Sequence, residues 1–142
     1  MTGWFSYAIG AAVFYGLHQV LTKLASAGAS DGLGGFVVEA TAALTIGLYL
    51  IYLRLFGAWD QHINTSGTMF SMATGVCVGV GTILFFLLFA AGGPLSAVPG
   101  VLAVGAIIMV LAGVLIFHEP LTWERSLGIA FAIAGILLLK RT

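Results

Sequence analysis

Five stretches of apolar residues run through this 142-residue chain, at about 3–25, 32–56, 67–91, 94–117 and 122–140. Each is followed by a short polar or glycine- and proline-containing break. At 1.5 Å of rise per residue, every stretch is long enough as a helix to cross about 30 Å of hydrocarbon. The pattern predicts an all-α membrane protein with a single domain of five transmembrane helices. An odd number of spans puts the two termini on opposite sides of the bilayer.

The breaks have their own chemistry. The first, Ser26 to Gly32, is small and flexible. The second, Gly57 to Ser66, holds Asp60, Gln61, His62 and Asn64 and is the longest. Its Asn64-Thr65-Ser66 fits a glycosylation sequon, a three-residue match with no other support. The third, Gly92-Gly93-Pro94, reads as a tight hairpin, with the proline suited to the first turn of the next helix. In the fourth, Pro120 disfavours helical geometry at Glu119, so span four should end there. Thr122 can then cap span five. The first stretch does not read as a cleaved signal peptide. It has no basic residue ahead of it, and it carries His18, Gln19 and Lys23 towards its end.

Composition agrees with the pattern. The chain is 61% hydrophobic and 7% charged, with a mean hydropathy of +1.14. A soluble domain could not shield that much apolar surface. No basic run suggests nucleic acid, and the lone Cys77 supports no disulfide framework. Trp4, Phe5, Tyr52, Trp59 and Trp123 fall near span ends, where amphipathic rings anchor at the headgroups. Glycines inside the spans allow helices to approach closely where lipid gives them no hydrophobic reason to associate. Gly75 and Gly79 form one such pair, and Gly128, Ala132 and Gly135 line the last span.

Charge placement bears on orientation. Lys23, Lys140 and Arg141 fall on one side of a five-span topology, and Arg54 and Arg125 on the other. This near balance predicts insertion in both orientations. The alternative is that Lys140 and Arg141, clustered at one end, fix a single one.

Several residues carry candidate chemistry. Glu39 lies about two turns into span two. A charged group at helix centre costs about 2.5–3.5 kcal/mol on insertion scales, so such a residue implies a function. It could carry a proton or attract a cationic substrate. The structural alternatives are a shallow position, or pairing with Lys23 or His18. Tyr15, His18 and Thr22 share one face of span one. His18 can titrate or bind substrate, although packing is the commoner role for a lone histidine. Lys23 is close enough to the helix end to snorkel. Pro99, after Ser96, removes a backbone donor and should leave the Leu95 carbonyl unpaired, either as a plain kink or as a transporter-type broken helix. Thr82, Phe85, Phe86 and Phe89 in span three could line an aromatic path, but packing is the commoner role for such residues. No nucleophile–base pair, metal-ligand cluster or phosphate loop is visible, so neither an enzyme nor a resident cofactor or metal is expected.

The stretch from Phe89 to Leu139 resembles the EamA-type domain of the drug/metabolite transporter superfamily. It carries Ala90-Ala91-Gly92-Gly93-Pro94-Leu95-Ser96, Pro99, an apolar span, Glu119, Leu121-Thr122, and the Gly128-x6-Gly135 spacing. Span one is similar too, with Tyr15-Gly16 where the family often has Trp-Gly, and Lys23 seven residues on. The resemblance covers nearly the whole chain. It implies a single five-span half of a ten-span plan whose halves are inverted. The chain departs from the family at Glu39, near which span two often carries an arginine. The four-span small multidrug resistance relatives pair antiparallel and keep a glutamate in span one. This chain has none there, so that residue is not carried over.

The expected function is therefore transport of a small metabolite or drug-like solute by alternating access. Five helices are too few to enclose a midplane cavity, so two copies are needed, as an antiparallel homodimer. Substrate or coupling candidates are Tyr15, His18, Glu39, Ser96 and Pro99. Dimer-contact candidates are Gly128, Ala132 and Gly135. The expected partners are the bilayer, a second copy and a small solute, in a bacterial or archaeal plasma membrane. A non-transporting accessory subunit, or half of a heterodimeric transporter, are the alternatives.

Overall fold

The computed structural model describes residues 3–57 and 59–139, with the side chains of Arg125, Ala132 and 136–139 left out. Lys140 and Arg141, which weigh in the charge balance, lie outside the described residues, as does the side chain of the dimer candidate Ala132. Every regular element is helical: α1 Gly3–Ala25, α2 Asp31–Leu55, α3 Thr65–Ala90, a 3₁₀ turn Leu95–Ala97, α4 Val98–Leu115 and α5 Trp123–Leu139. The five predicted stretches are thus five helices, with ends displaced by at most two residues except at the start of α4, which comes four residues later than predicted. Among the described residues, three segments are long and apolar enough to cross a membrane: Asp31–Leu55, Thr65–Ala90 and Leu95–Leu115. Helix α1 has the length at 23 residues, but Ser6, Tyr7, Tyr15, His18 and Gln19 dilute its apolar character. Helix α5 covers 17 residues.

The chain divides into two units, one of α1 to α3 and one from Pro94 onwards. In the first unit, α3 is the shared partner of α1 and α2. Its contact face is Thr82, Phe86 and Phe89, spaced at i, i+4 and i+7 and all buried. Phe86 is fully buried. It lies against the backbone of Gly34, where a β-carbon would stand only 2.6 Å from the ring Cζ. Gly34 and Gly35 thus let α2 come down onto α3. Contact of this kind, rather than hydrophobic burial, holds helices together in lipid. The rest of the apolar surface faces outward: Leu44, Ile46, Phe70, Val76 and many others are exposed.

The helix ends explain the displaced boundaries. Asn64 caps α3, its side-chain oxygen accepting from the Gly67 N–H at 2.7 Å. This starts α3 at Thr65, earlier than predicted, and gives the sequon asparagine a structural role. At the other end of α3, the Gly93 N–H donates to Leu88 O and the Gly92 N–H to Phe89 O, both at 3.0 Å. Gly92 has φ +85°. This is a Schellman closure, which requires the left-handed backbone that glycine adopts freely. Lys23 does not simply snorkel. Its Nζ donates to Gly93 O at 3.1 Å and sits 5.6 Å from the centre of the Phe89 ring. It ties the end of α1 to the end of α3, where the helix dipole favours a cation.

Two expectations about span four need correction. Pro94 does not open α4; it precedes the 3₁₀ turn. Pro99 instead occupies the first turn of α4, where a missing N–H breaks no helical bond. The Leu95 carbonyl is not orphaned, since it accepts from the Val98 N–H. The far end comes at Leu115, four residues before Glu119. There the chain reverses through His118, at φ 54°, and the Glu119 N–H returns to Gly113 O at 2.9 Å. Thr122 does precede the first residue of α5, and its carbonyl accepts from the Ser126 N–H at 3.0 Å.

Candidate functional site

Glu39 is the ninth residue of α2, about 12 Å along the helix from Asp31. Thr82 lies eight residues before the end of α3, about 12 Å from Ala90. The two helices run in opposite directions, so both residues reach the same depth from the same end of the unit. They meet there: Thr82 Oγ1 donates to Glu39 Oε1 at 2.5 Å. Glu39 is half-buried and Thr82 is buried. Gly35, one turn before Glu39, packs against the same stretch of α3. A β-carbon on Gly35 would meet Thr82 Cγ2 at 3.7 Å.

A carboxylate at this depth has little water to solvate it, and the hydroxyl replaces part of that solvation. A carboxylate has about four lone-pair sites, so one hydroxyl leaves acceptor capacity in hand. Lys23, one of the structural partners considered for Glu39, is engaged at Gly93 and Phe89 instead.

Helix α1 adds two more polar atoms. His18 Nδ1 and Gln19 Oε1 are buried without a hydrogen-bond partner among the described residues. Gln19 as a whole is only 9% exposed. Thr22 Oγ1, on the same helix, donates to the His18 carbonyl at 2.8 Å and is taken up locally. Lys23 meets α3 at Phe89 and Gly93. Gln19 is about 6 Å further down α1, and Thr82 about 10 Å down α3 from Phe89. The unpaired atoms and the carboxylate are therefore about one helical turn apart in depth. The first unit thus carries a half-buried carboxylate on α2, paired to α3, and a buried amide oxygen and imidazole nitrogen on α1. An amide oxygen and a carboxylate accept hydrogen bonds, and an imidazole nitrogen accepts or donates according to its tautomer, so the set offers acceptors for a proton or a donor-bearing cation.

The other predicted residues are placed differently. Tyr15 is 69% exposed, on the outside of its unit. Ser96 and Pro99 are exposed at the start of the second unit, and neither belongs to the polar set. Gly128 and Gly135 lie on α5, and nothing within 4 Å would meet a β-carbon on either. Sequence reasoning missed Thr82 as the partner of Glu39 and Gln19 as a buried polar group. The i, i+4, i+7 face of Thr82, Phe86 and Phe89 was the signal for the first. Among the described residues, no group of three His, Cys, Asp or Glu side chains could hold a metal. No protein-family description matches the chain, and neither does any curated protein or solved structure.

Proposed function

We propose that this chain is one half of a small-solute transporter, a five-span membrane subunit that works by alternating access as an inverted pair of copies. The observation that carries this reading is the Glu39–Thr82 pair. An apolar residue at position 39 would avoid the insertion cost of a carboxylate, and a purely structural contact to Thr82 does not need a charge. Glu39 is the coupling or cation-attracting group, and the unpaired His18 and Gln19 atoms complete the polar side of the path. The resemblance to an EamA-type half supports the same plan, in which two five-span repeats of opposite orientation flank a site near the midplane.

The test uses the purified protein. A thermal-shift screen of small solutes selects a ligand, and uptake of that ligand into proteoliposomes is followed over a range of pH. Glu39→Gln preserves shape and hydrogen bonding but removes the charge. It should leave expression and the mass in detergent unchanged, and abolish uptake or its pH response. If uptake by Glu39→Gln keeps the wild-type rate and pH profile, Glu39 is structural and this proposal loses its main support.

A further inference from the structure

Gln19 is a buried polar group that its own chain leaves unsatisfied. With Thr22, three residues on and on the same face, it is one of the two buried residues of α1. Helix α1 packs on α3, whose buried stripe is Thr82, Phe86 and Phe89. Gln19 is 9% exposed, and its Oε1 has no donor among the described residues. The donors at this end of the unit are committed. Thr22 Oγ1 donates to His18 O, Lys23 Nζ to Gly93 O and Thr82 Oγ1 to Glu39 Oε1. Burying an acceptor without a donor is less favourable than burying an apolar side chain of the same shape. The amide is therefore matched to a donor that the chain itself does not supply.

Gln19 and Glu39 stand at nearly the same depth. Gln19 is six residues from the end of α1, about 9 Å, and Glu39 is eight residues from the start of α2, about 12 Å. Residues 26–30 join those two ends, and both helices pack on α3. His18 Nδ1 accepts or donates according to its tautomer, and His18 is about 100° round the helix from Gln19; the fixed acceptor is the amide oxygen. We propose that Gln19 is the specificity-determining partner of Glu39, and that the solute is a primary or secondary ammonium ion. Such an ion gives one N–H to the Glu39 carboxylate and a second to Gln19 Oε1. A tertiary ammonium has one N–H and satisfies only one of the two acceptors, and a quaternary ammonium has none. This inference rests on the reading of Glu39 as the cation-attracting group, and adds to it the number of donors the cation must carry.

The experiment is equilibrium binding of benzylammonium and its N-methyl, N,N-dimethyl and N,N,N-trimethyl derivatives to the full chain in phosphatidylcholine nanodiscs. All four are cations at neutral pH, and empty nanodiscs are subtracted. Benzylammonium and its N-methyl derivative should bind the wild type alike. Affinity should then fall about tenfold at the N,N-dimethyl ion, where the second N–H is lost, the scale of one hydrogen bond to a charged group. It should fall again at the trimethyl ion, where the last N–H goes. Gln19→Met keeps the side-chain length without the amide oxygen, and should erase the first fall while keeping the second. Glu39→Gln removes the charge and should weaken the whole series. A wild type without the first fall overturns the role of Gln19, and this comparison needs no variant to fold. That is also the result expected if a buried water satisfies Gln19. A first fall that persists in Gln19→Met reports only the bulk of the methyl groups and overturns the proposal too. So does the absence of saturable binding by any of the four, which leaves Glu39 to be judged by uptake. A Glu39→Gln protein that binds the series as the wild type does would instead remove the reading of Glu39 on which the proposal rests.

Discussion

Substituting Gly34 by alanine tests how α2 and α3 are held together. The added methyl would stand 2.6 Å from Phe86 Cζ and 3.0 Å from Cδ1, with Cε1 nearer still. Carbon atoms pack best at about 3.5–4.0 Å, so the ring would have to retreat by about 1 Å. Phe86 is fully buried, so its ring can retreat only by displacing its neighbours. Overpacking of this kind costs about 1–3 kcal/mol, and the better helix propensity of alanine returns up to about 1. The net loss should be about 1–2 kcal/mol. Gly47 lies in the same helix, with nothing within 4 Å of its would-be β-carbon. There Gly47→Ala should keep only the propensity gain. Equilibrium unfolding in mixed SDS and mild detergent compares the two, and they should differ by about 2 kcal/mol with opposite signs. In a double-mutant cycle, Phe86→Leu should relieve Gly34→Ala, with a coupling of about 0.5–3 kcal/mol. If both alanine variants shift stability equally, or the cycle shows no coupling, the close approach at Gly34 does not hold this unit together.

Other outcomes follow from the same structure. Thr82→Val keeps the volume but removes the donor to Glu39, and should cost about 1–3 kcal/mol in the same titration. Adding Glu39→Ala to Thr82→Val should cost less than the sum of the two changes, because both break the same contact. Gly92→Ala forces a β-carbon into the left-handed region and should cost about 1–2 kcal/mol, whereas His118→Gly should be neutral or stabilising by up to about 1 kcal/mol; thermal unfolding of both variants checks the pair. Terminal reporter fusions should place the C-terminus on both sides of the membrane, and two lysines added to the Gly57–Ser66 loop should drive one orientation. A wild type with a single orientation and a parallel dimer would end the inverted-pair proposal.

Element positions were legible in the chain because each apolar stretch is bounded by a local signal. Asn64 caps α3, Gly92 and Gly93 close it, and Thr122 precedes α5. The errors occurred where a signal acts over two or three residues in more than one way. Pro120 does disfavour helix at Glu119, but the chain has already left the helix at Leu115 and turned at His118. Pro99 reads as a mid-span break only if the helix is taken to start at Pro94. A 3₁₀ turn separates the two prolines, and it moves Pro99 into a first turn that has no use for its missing N–H.

The candidate site was harder to see, for a physical reason. A carboxylate in a membrane helix is visible in any sequence, because its cost is paid by one residue. The groups that make the cost bearable come from other helices, and their register is set by packing. Thr82 meets Glu39 where Gly34 has no side chain to hold α2 away from Phe86. A glycine that looks like ordinary membrane-helix composition thus helps decide which polar residue faces the carboxylate. The same holds at Lys23, which is indistinguishable from a snorkelling lysine until the glycine closure of α3 presents the Gly93 carbonyl to it. In both places the glycine sets the distance and the polar side chain uses it. Glu39 should therefore respond to changes at Gly34 as well as to changes at Thr82.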